Sequence, residues 1–483
     1  MQSSVVKDAP TDLRLLVGGG LCLGLLTGVA VYIQSAVLVS ILIGAMLTGA
    51  LILWRPEVAL LSMLALLMFK PEFAQGRGLV TILALALTAM LAVKIAVLKE
   101  FQFLRVRQVQ LLFLIGVLIL MNWLLAGQLQ PPSYLSQVDQ TARVMQRTVF
   151  QLALVIFFVA FISTPRQILV VTGLFLVGLF VTIPGAIFHS AKAVELAAQH
   201  VGKLDRLRAV AVAGIDLAEN ANYLAFISVM GISLTWFAVL EYRSRLLRLT
   251  AGVVIPVLAF TVVLTGSRSG LLLLMISFLL LLLQSGLRRS HFAAVMLLLV
   301  VSGSVALAFA PERVLQRISS LALTSESASV SDPVRSLQGR LLMTELGLKL
   351  FSESPFIGVG VGNVRWMTAL DPASGGVPMT LHNSYLLMLA EGGIILLAAY
   401  LLLFWHTFRD LGKALKLSAA APEIRLRWLI LATRTNLLLL LIFSFFAETW
   451  KEFYYLLILA TTPVLLRIYQ QAAAQWARSR SST

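Results

Sequence analysis

A histidine stands where two very different stretches of chain meet. In "GGVPMTLHNSYLLMLAEGGIILL", Gly375 to Leu397, a loop containing Gly and Pro turns into a long apolar run. His382 sits at the junction, followed by Asn383, Ser384 and Tyr385, and it is one of only five histidines. A neutral imidazole near pH 7 can accept a proton from an attacking hydroxyl, so general-base work usually falls to histidine. Two arginines have the chemistry to complement it. Arg268 lies in "LTGSRSGLLLL", between two apolar runs, and Arg340 in "LQGRLLMTELGLKLFSESP". The planar fork of a guanidinium matches phosphate oxygens. Two such forks and a base, without a Cys/His/Asp metal cluster, suggest metal-free group transfer from a phosphorylated donor. The arginines would neutralise a departing diphosphate, the role Mg²⁺ takes elsewhere. Plainer roles compete. His382 could be a neighbour of a helix cap formed by Asn383 and Ser384, or an interfacial anchor with Tyr385. Arg268 could simply snorkel to the interface.

The elements that must position these residues cross a membrane. The chain has 483 residues, of which 59% are hydrophobic and only 12% charged, and its mean hydropathy is +0.92. Soluble domains carry about 25% charged residues. Runs of roughly 20 apolar residues recur, as a helix crossing ~30 Å of hydrocarbon requires. Fourteen candidate spans lie near 13–33, 36–53, 57–69, 79–98, 109–126, 149–163, 167–187, 221–240, 248–265, 271–285, 292–310, 384–404, 427–446 and 453–468. Several are short or weak-edged, so the expectation is an all-α polytopic membrane protein of about 12–14 transmembrane helices. Residues 1–10 and 469–483 are expected to be disordered ends. The lone Cys22 lies in the first span, which lacks a convincing cleavage site and reads as an uncleaved anchor. With the N-terminus inside, the inner segments collect twenty Lys and Arg and the short outer loops six. Positive charge resists translocation, so both termini are expected on the cytoplasmic side. The net charge of +16 then reflects this bias and attraction to anionic lipid; it calls for no nucleic acid.

This orientation places the two long hydrophilic segments, 188–220 and 311–383, outside. In the second, "PERVLQRISSLAL" approximates one helical face and "TSESASVSDPVRS" reads as a loop. "LQGRLLMTELGLKLFSESP" reads as an amphipathic interfacial helix, with Leu342, Leu346, Lys349 and Leu350 on one side and Arg340, Thr344 and Gly347 on another. Pro355 should end it. "FIGVGVGNVRW" lacks the strand–helix context of a nucleotide loop and reads as a turn returning the chain to the membrane. At Arg268, the start of a helix would add unpaired N–H groups and a partial positive charge to a diphosphate seat. The loop "HVGKLDRLRAVAVAGIDLAENANYLA", His200 to Ala225, gathers Arg206, Arg208, Asp216, Glu219, Asn220 and Asn222. These side chains could contact sugar hydroxyls or phosphates, or be solvated, with Asn220 a helix cap. Glu391 lies inside an apolar run, where a charge costs roughly 2.5–3.5 kcal/mol at a helix centre, so it should pair inward or border a wet cavity.

With these residues in view, the stretch of about 260–400 resembles the membrane family of O-antigen ligases and O-antigen polymerases. The resemblance rests on "LTGSRSG", "GRLLMTELGLKLFSESPFIGVGVGNV" and above all "HNSYLLMLAEGGI", in the family's order, with "RAVAVAGIDLAENANYLA" as a degenerate upstream loop. It implies a C-type glycosyltransferase-like fold with N-terminal membrane helices (1–259), a ligase-like core (260–404) and C-terminal helices and tail (405–483). It also implies no metal or other cofactor. The donor would be an undecaprenyl-diphosphate-linked glycan, transferred with inversion at the outer face of a bacterial inner membrane. By motif, Arg268 and Arg340 match the family's diphosphate-binding arginines and His382 its catalytic histidine. Arg206, Arg208, Asp216, Glu219, Asn222 and Asn383 are candidate substrate contacts. Asp216 or Glu219 is the rival base if His382 binds phosphate as imidazolium. The acceptor would be a lipid A-core sugar for a ligase, or a second lipid-linked glycan for a polymerase. A polysaccharide transporter or flippase is the alternative from another class, but no internal repeat is apparent.

Overall fold

The computed structural model describes residues 55–69, 78–125, 141–180, 183, 221–242, 244–285, 332–372, 380–449 and 452–481. Every regular element among them is helical: α1 (Pro56–Phe69), α2 (Gly78–Ala96), a 3₁₀ turn (Gln102–Arg105), α3 (Arg107–Leu125), α4 (Thr141–Phe161), α5 (Pro165–Phe180), α6 (Ala221–Tyr242), α7 (Arg245–Leu264), α8 (Arg268–Ser285), α9 (Asp332–Glu353), α10 (Val364–Leu370), α11 (Ser384–Ser418), α12 (Arg427–Phe443) and α13 (Phe453–Ser481). Among the described residues, α3, α6, α7, α8, α11 and α13 are long and apolar enough to cross a membrane, and α1, α2, α4 and α5 contain shorter apolar stretches. A helix satisfies its backbone groups within one segment, as hydrocarbon demands. The chain is a multi-pass, all-α membrane protein. The expected spans at 13–33, 36–53 and 292–310, Cys22, and the expected helix at 311–323 lie outside the described residues.

Two helices organise the bundle. Helix α6 packs against α7, α8 and α12, while α11 packs against α3, α9, α12 and α13. Lipid supplies little hydrophobic drive for helix association, so close approach and polar contacts decide it. A Cβ on Gly231 of α6 would come within 2.6 Å of Leu179 Cδ2 on α5. The Ser233 hydroxyl of α6 donates to Asn436 Oδ1 of α12, and Phe226 stacks on Phe443 with centroids 4.7 Å apart.

Helix α11 is broken where "AEGG" stands. Gly393 has φ 66° inside the helix, a left-handed conformation that few residues other than glycine adopt. The turn after α9 fills this break. Val359 N–H donates to Ala390 O at 2.9 Å, Gly360 N–H to Glu391 O at 3.0 Å and Ile394 N–H to Pro355 O at 2.9 Å. The buried Glu391 carboxylate accepts from Gly362 N–H at 2.9 Å, so it pairs inward as expected. Asn122 of α3 closes the joint, donating to Ile357 O and accepting from Val361 N–H at 2.8 Å. The glycine run is therefore a turn packed into a broken helix, with positive φ at Gly358, Gly360 and Gly362.

Several expectations need correction. Helix α9 starts at Asp332, inside the Ser-rich stretch read as loop; the Pro that follows Asp332 is tolerated in a first helical turn. On α9, Leu346 and Leu350 are buried as expected, but Lys349 is exposed and Gly347 is buried. Lys349 forms an ion pair with Asp371 at 2.8 Å, and Gly347 is needed where α9 meets another segment. The tail is ordered through Ser481 as part of α13, because "QQAAAQWARSR" is built from good helix formers. Likewise α11 continues past 404 to Ser418, burying Thr407, Asp410, Leu411 and Ala414 along one side. The other charges expected inside spans are partnered. Lys94 pairs with Glu100 at 2.9 Å, and Arg434 lies 4.7 Å from the centroid of Phe408.

Candidate functional site

Arg268 opens α8 on a short capped turn. Helix α7 ends at Leu264, Gly266 has φ 57° and Ser267 precedes α8. The Ser267 hydroxyl donates to Asn222 Oδ1 at 2.7 Å and accepts from Gly270 N–H at 3.0 Å. Its single proton is therefore used, and Ser269, whose hydroxyl lies 3.1 Å away, must donate to it. Gly270 lets α8 touch α6, since a Cβ there would fall 2.5 Å from Ala225 Cβ. The small residues of this turn thus serve helix packing, and protein atoms take up part of the helix's N-terminal bonding capacity. The group that reaches solvent is the exposed Arg268 side chain.

His382 is held by its neighbours. It has φ 50°, uncommon for a residue other than glycine. Asn383 caps α11, its side chain accepting from Tyr385 N–H at 3.0 Å and Leu386 N–H at 3.1 Å. Ser384 is buried. Its backbone N–H donates to Ser444 O at 2.8 Å, and its hydroxyl donates to Ala447 O at 2.8 Å and accepts from Thr449 N–H at 2.7 Å. The Tyr385 hydroxyl donates to Leu441 O at 2.7 Å. Three consecutive residues are thus bound into the fold, two of them to the end of α12 and the segment after it. His382 is exposed, and its imidazole makes no hydrogen bond to a described residue.

Arg340 reaches this place from α9. A Cβ on Gly347 would lie 2.8 Å from Leu386 Cδ2 and 3.0 Å from Leu381 Cδ1, so α9 rests directly on the segment that carries His382. Arg340 precedes Gly347 by seven residues, close to two helical turns, and so projects from the same face. The electrostatics agree. Arg340 lies within the influence of Arg268 and itself acts on His382. Partial burial, with a further contribution from Arg268, pushes its pKa below the ordinary arginine value, and it remains a cation. His382 is held below the ordinary histidine value of 6.5, first by burial of the ring and then by Arg340, while Glu448 acts in the opposite direction. Although the residue is partly open to water, enough protein surrounds the ring to favour its neutral form.

Adjacent residues of α6 join the two halves of the site. Asn222 accepts from Ser267, next to Arg268, and the Tyr223 hydroxyl donates to Glu448 O at 3.1 Å, beside His382. The structure therefore brings Arg268, Arg340 and His382 to one end of the bundle. Of the candidate substrate contacts, Asn222 also holds the turn before Arg268 and Asn383 also caps α11. Arg206, Arg208, Asp216 and Glu219 lie outside the described residues. Sequence reading missed Glu448, Tyr223 and Asn122. Glu448 lies 66 residues beyond His382, and the only signal was an acid in a short apolar-flanked segment, "FAETWKEF".

The cluster can do specific chemistry: one cation, Arg340, acts both with a second, Arg268, and on a base kept neutral, at one end of a membrane bundle. No group of three or more His, Cys, Asp or Glu that could hold a metal occurs among the described residues. Residues 253–401 match the family model described as O-Antigen ligase, the same region in which the motif resemblance lies. No curated protein shows significant similarity to the chain. The chain thus carries an O-antigen ligase-related segment, and Arg268, Arg340 and His382 all fall within it.

Proposed function

We propose, from the match of residues 253–401 to the O-antigen ligase family model, that the protein is a glycan transferase of the O-antigen ligase type, working at the outer face of a bacterial inner membrane. The donor is an undecaprenyl-diphosphate-linked glycan and the acceptor hydroxyl belongs to a lipid A-core sugar. The observation that carries the reading is Arg340, which feels the charge of Arg268 and itself acts on His382. Residues 72 apart in one direction and 42 in the other are gathered at one point. Repulsion between two cations opposes that arrangement unless an anion comes between them, and a diphosphate fits.

In this reading the lipid tail stays in the membrane while Arg268 and Arg340 hold the diphosphate. His382 removes the proton of the acceptor hydroxyl. The oxygen lone pair forms a bond to the anomeric carbon as the bond from that carbon to the diphosphate oxygen breaks. The bonding electrons leave on the diphosphate, whose added charge the guanidiniums stabilise. In-line attack inverts the anomeric centre, and the imidazolium returns its proton to solvent. Lowering the histidine's pKa keeps the base form available at neutral pH.

Reconstitution tests this. Purified protein is given lipid-linked glycan with EDTA present, with and without lipid A-core. Acceptor-dependent product, lost in His382→Ala and Arg268→Ala, supports the ligase. A ladder of longer lipid-linked chains without the core acceptor makes the protein a polymerase. No product from wild type, with intact donor carried across proteoliposomes, turns the reading to transport.

A further inference from the structure

The segment between α12 and α13 does more than connect two spans. We propose that Glu448, which lies on it, is the positioning residue of His382: a carboxylate held beside the imidazole to balance Arg340 and to stabilise the charge the ring gains on taking a proton. This rests on the reading of His382 as the proton acceptor.

The geometry comes from hydrogen bonds on both sides of Glu448. Ala447 O accepts from the Ser384 hydroxyl at 2.8 Å, and Thr449 N–H donates to the Ser384 hydroxyl oxygen at 2.7 Å. Glu448 is therefore the residue between two anchors on Ser384, two positions from His382. Its own carbonyl accepts from the Tyr223 hydroxyl at 3.1 Å. Ser444 O accepts from Ser384 N–H at 2.8 Å, and the hydroxyls of Ser444 and Thr449 lie 2.7 Å apart. All these contacts use backbone atoms or hydroxyls, leaving the Glu448 carboxylate for another purpose. The charged groups acting on His382 are Arg340 from α9 and Glu448 from this segment, with opposite effects. A base beside a guanidinium is readily kept neutral but resists becoming a cation, which a general base must do during the reaction. A carboxylate in reach offsets that resistance without occupying the ring.

The test uses the full chain in lipid nanodiscs. The pH dependence of diethylpyrocarbonate modification of His382 is read by mass spectrometry of its peptide, beside the pH profile of glycan transfer. Glu448→Gln keeps the segment's hydrogen bonds and should lower the modification midpoint by about half a unit to one unit. Plateau transfer should fall roughly tenfold, with the acid limb moving to lower pH in parallel. Glu448→Asp should recover most of both. Tyr223→Phe, which loosens the segment without touching the carboxylate, should shift the midpoint in the same direction by less. An unmoved midpoint in folded Glu448→Gln overturns the proposal. A moved midpoint with an unmoved transfer profile keeps Glu448 as the partner of His382 and instead removes His382 from the role of base.

Discussion

The two ends of α11 handle charge in opposite ways. Near its end at Ser418, Asp410 is buried and satisfied: Gln108 Nε2 donates to Oδ2 at 2.8 Å and Lys413 Nζ to Oδ1 at 3.0 Å. Close by in the bundle, the Arg467 guanidinium donates to the carbonyls of Val159, at 3.0 Å, and Ile162. Each ion there closes a contact between helices. At the other end, Arg340 lies near a second cation and near His382, and forms no ion pair with a described residue. Beneath these residues the buried Ser384, Thr449 and Ser444 make a neutral scaffold. Charge at the Ser418 end joins helices, whereas at the His382 end like charges are gathered where water can reach them.

That contrast can be broken by substitution. The largest effect expected is on transfer. His382→Ala or Arg340→Ala should lower the rate by about 10² to 10⁴-fold while the thermal unfolding midpoint stays within a degree or two. Loss of folding in step with activity would place these residues in the scaffold instead. At the opposite end the order reverses. Asp410→Ala leaves Gln108 without its buried acceptor and should cost about 1–3 kcal/mol, seen as a lower midpoint, with transfer by the remaining folded protein unchanged. Ser384→Ala tests the scaffold beneath the site. It orphans the buried Thr449 N–H at a similar cost, and it should also slow transfer because His382 and Glu448 lose their common anchor.

Two smaller effects sharpen the comparison. The neutral form of His382 is favoured in the fold, so the half-point of the acid limb of transfer should lie below 6.5, the ordinary histidine value. The sign follows from the base: a depressed pKa means protonation, and with it loss of rate, is postponed to lower pH. A decline beginning well above pH 7 would contradict this. Last, Arg340→Gln removes a cation from beside Arg268 and should raise the unfolding midpoint slightly, by the equivalent of a few tenths to about 1 kcal/mol, while transfer is lost. A variant more stable and less active than the parent is the expected mark of a site built against its own repulsion.

Much of this was legible before the fold. Hydropathy alone points to a multi-pass helical protein, because continuous runs of roughly 20 apolar residues are what a helix needs to cross lipid with its backbone satisfied. Residue chemistry singles out His382, Arg268 and Arg340, since few side chains here can act as bases or diphosphate ligands, and the motif order points to the family. Some local devices were also readable: Pro355 marks the end of α9, and the inward pairing of Glu391 follows from the cost of a charge in hydrocarbon. Other features depended on contacts between distant segments. Gly347 looks like part of a polar face until Leu381 and Leu386 are seen against it. Nothing in the sequence says that Asn222 holds the turn before Arg268 through Ser267. Glu448 has no motif, because its place beside His382 comes from hydrogen bonds between the start of α11 and the segment after α12. Periodicity and residue type act over a few positions and are written in the sequence; which side chains meet across some 200 residues of chain is decided by how helices pack, and only the tertiary structure holds that.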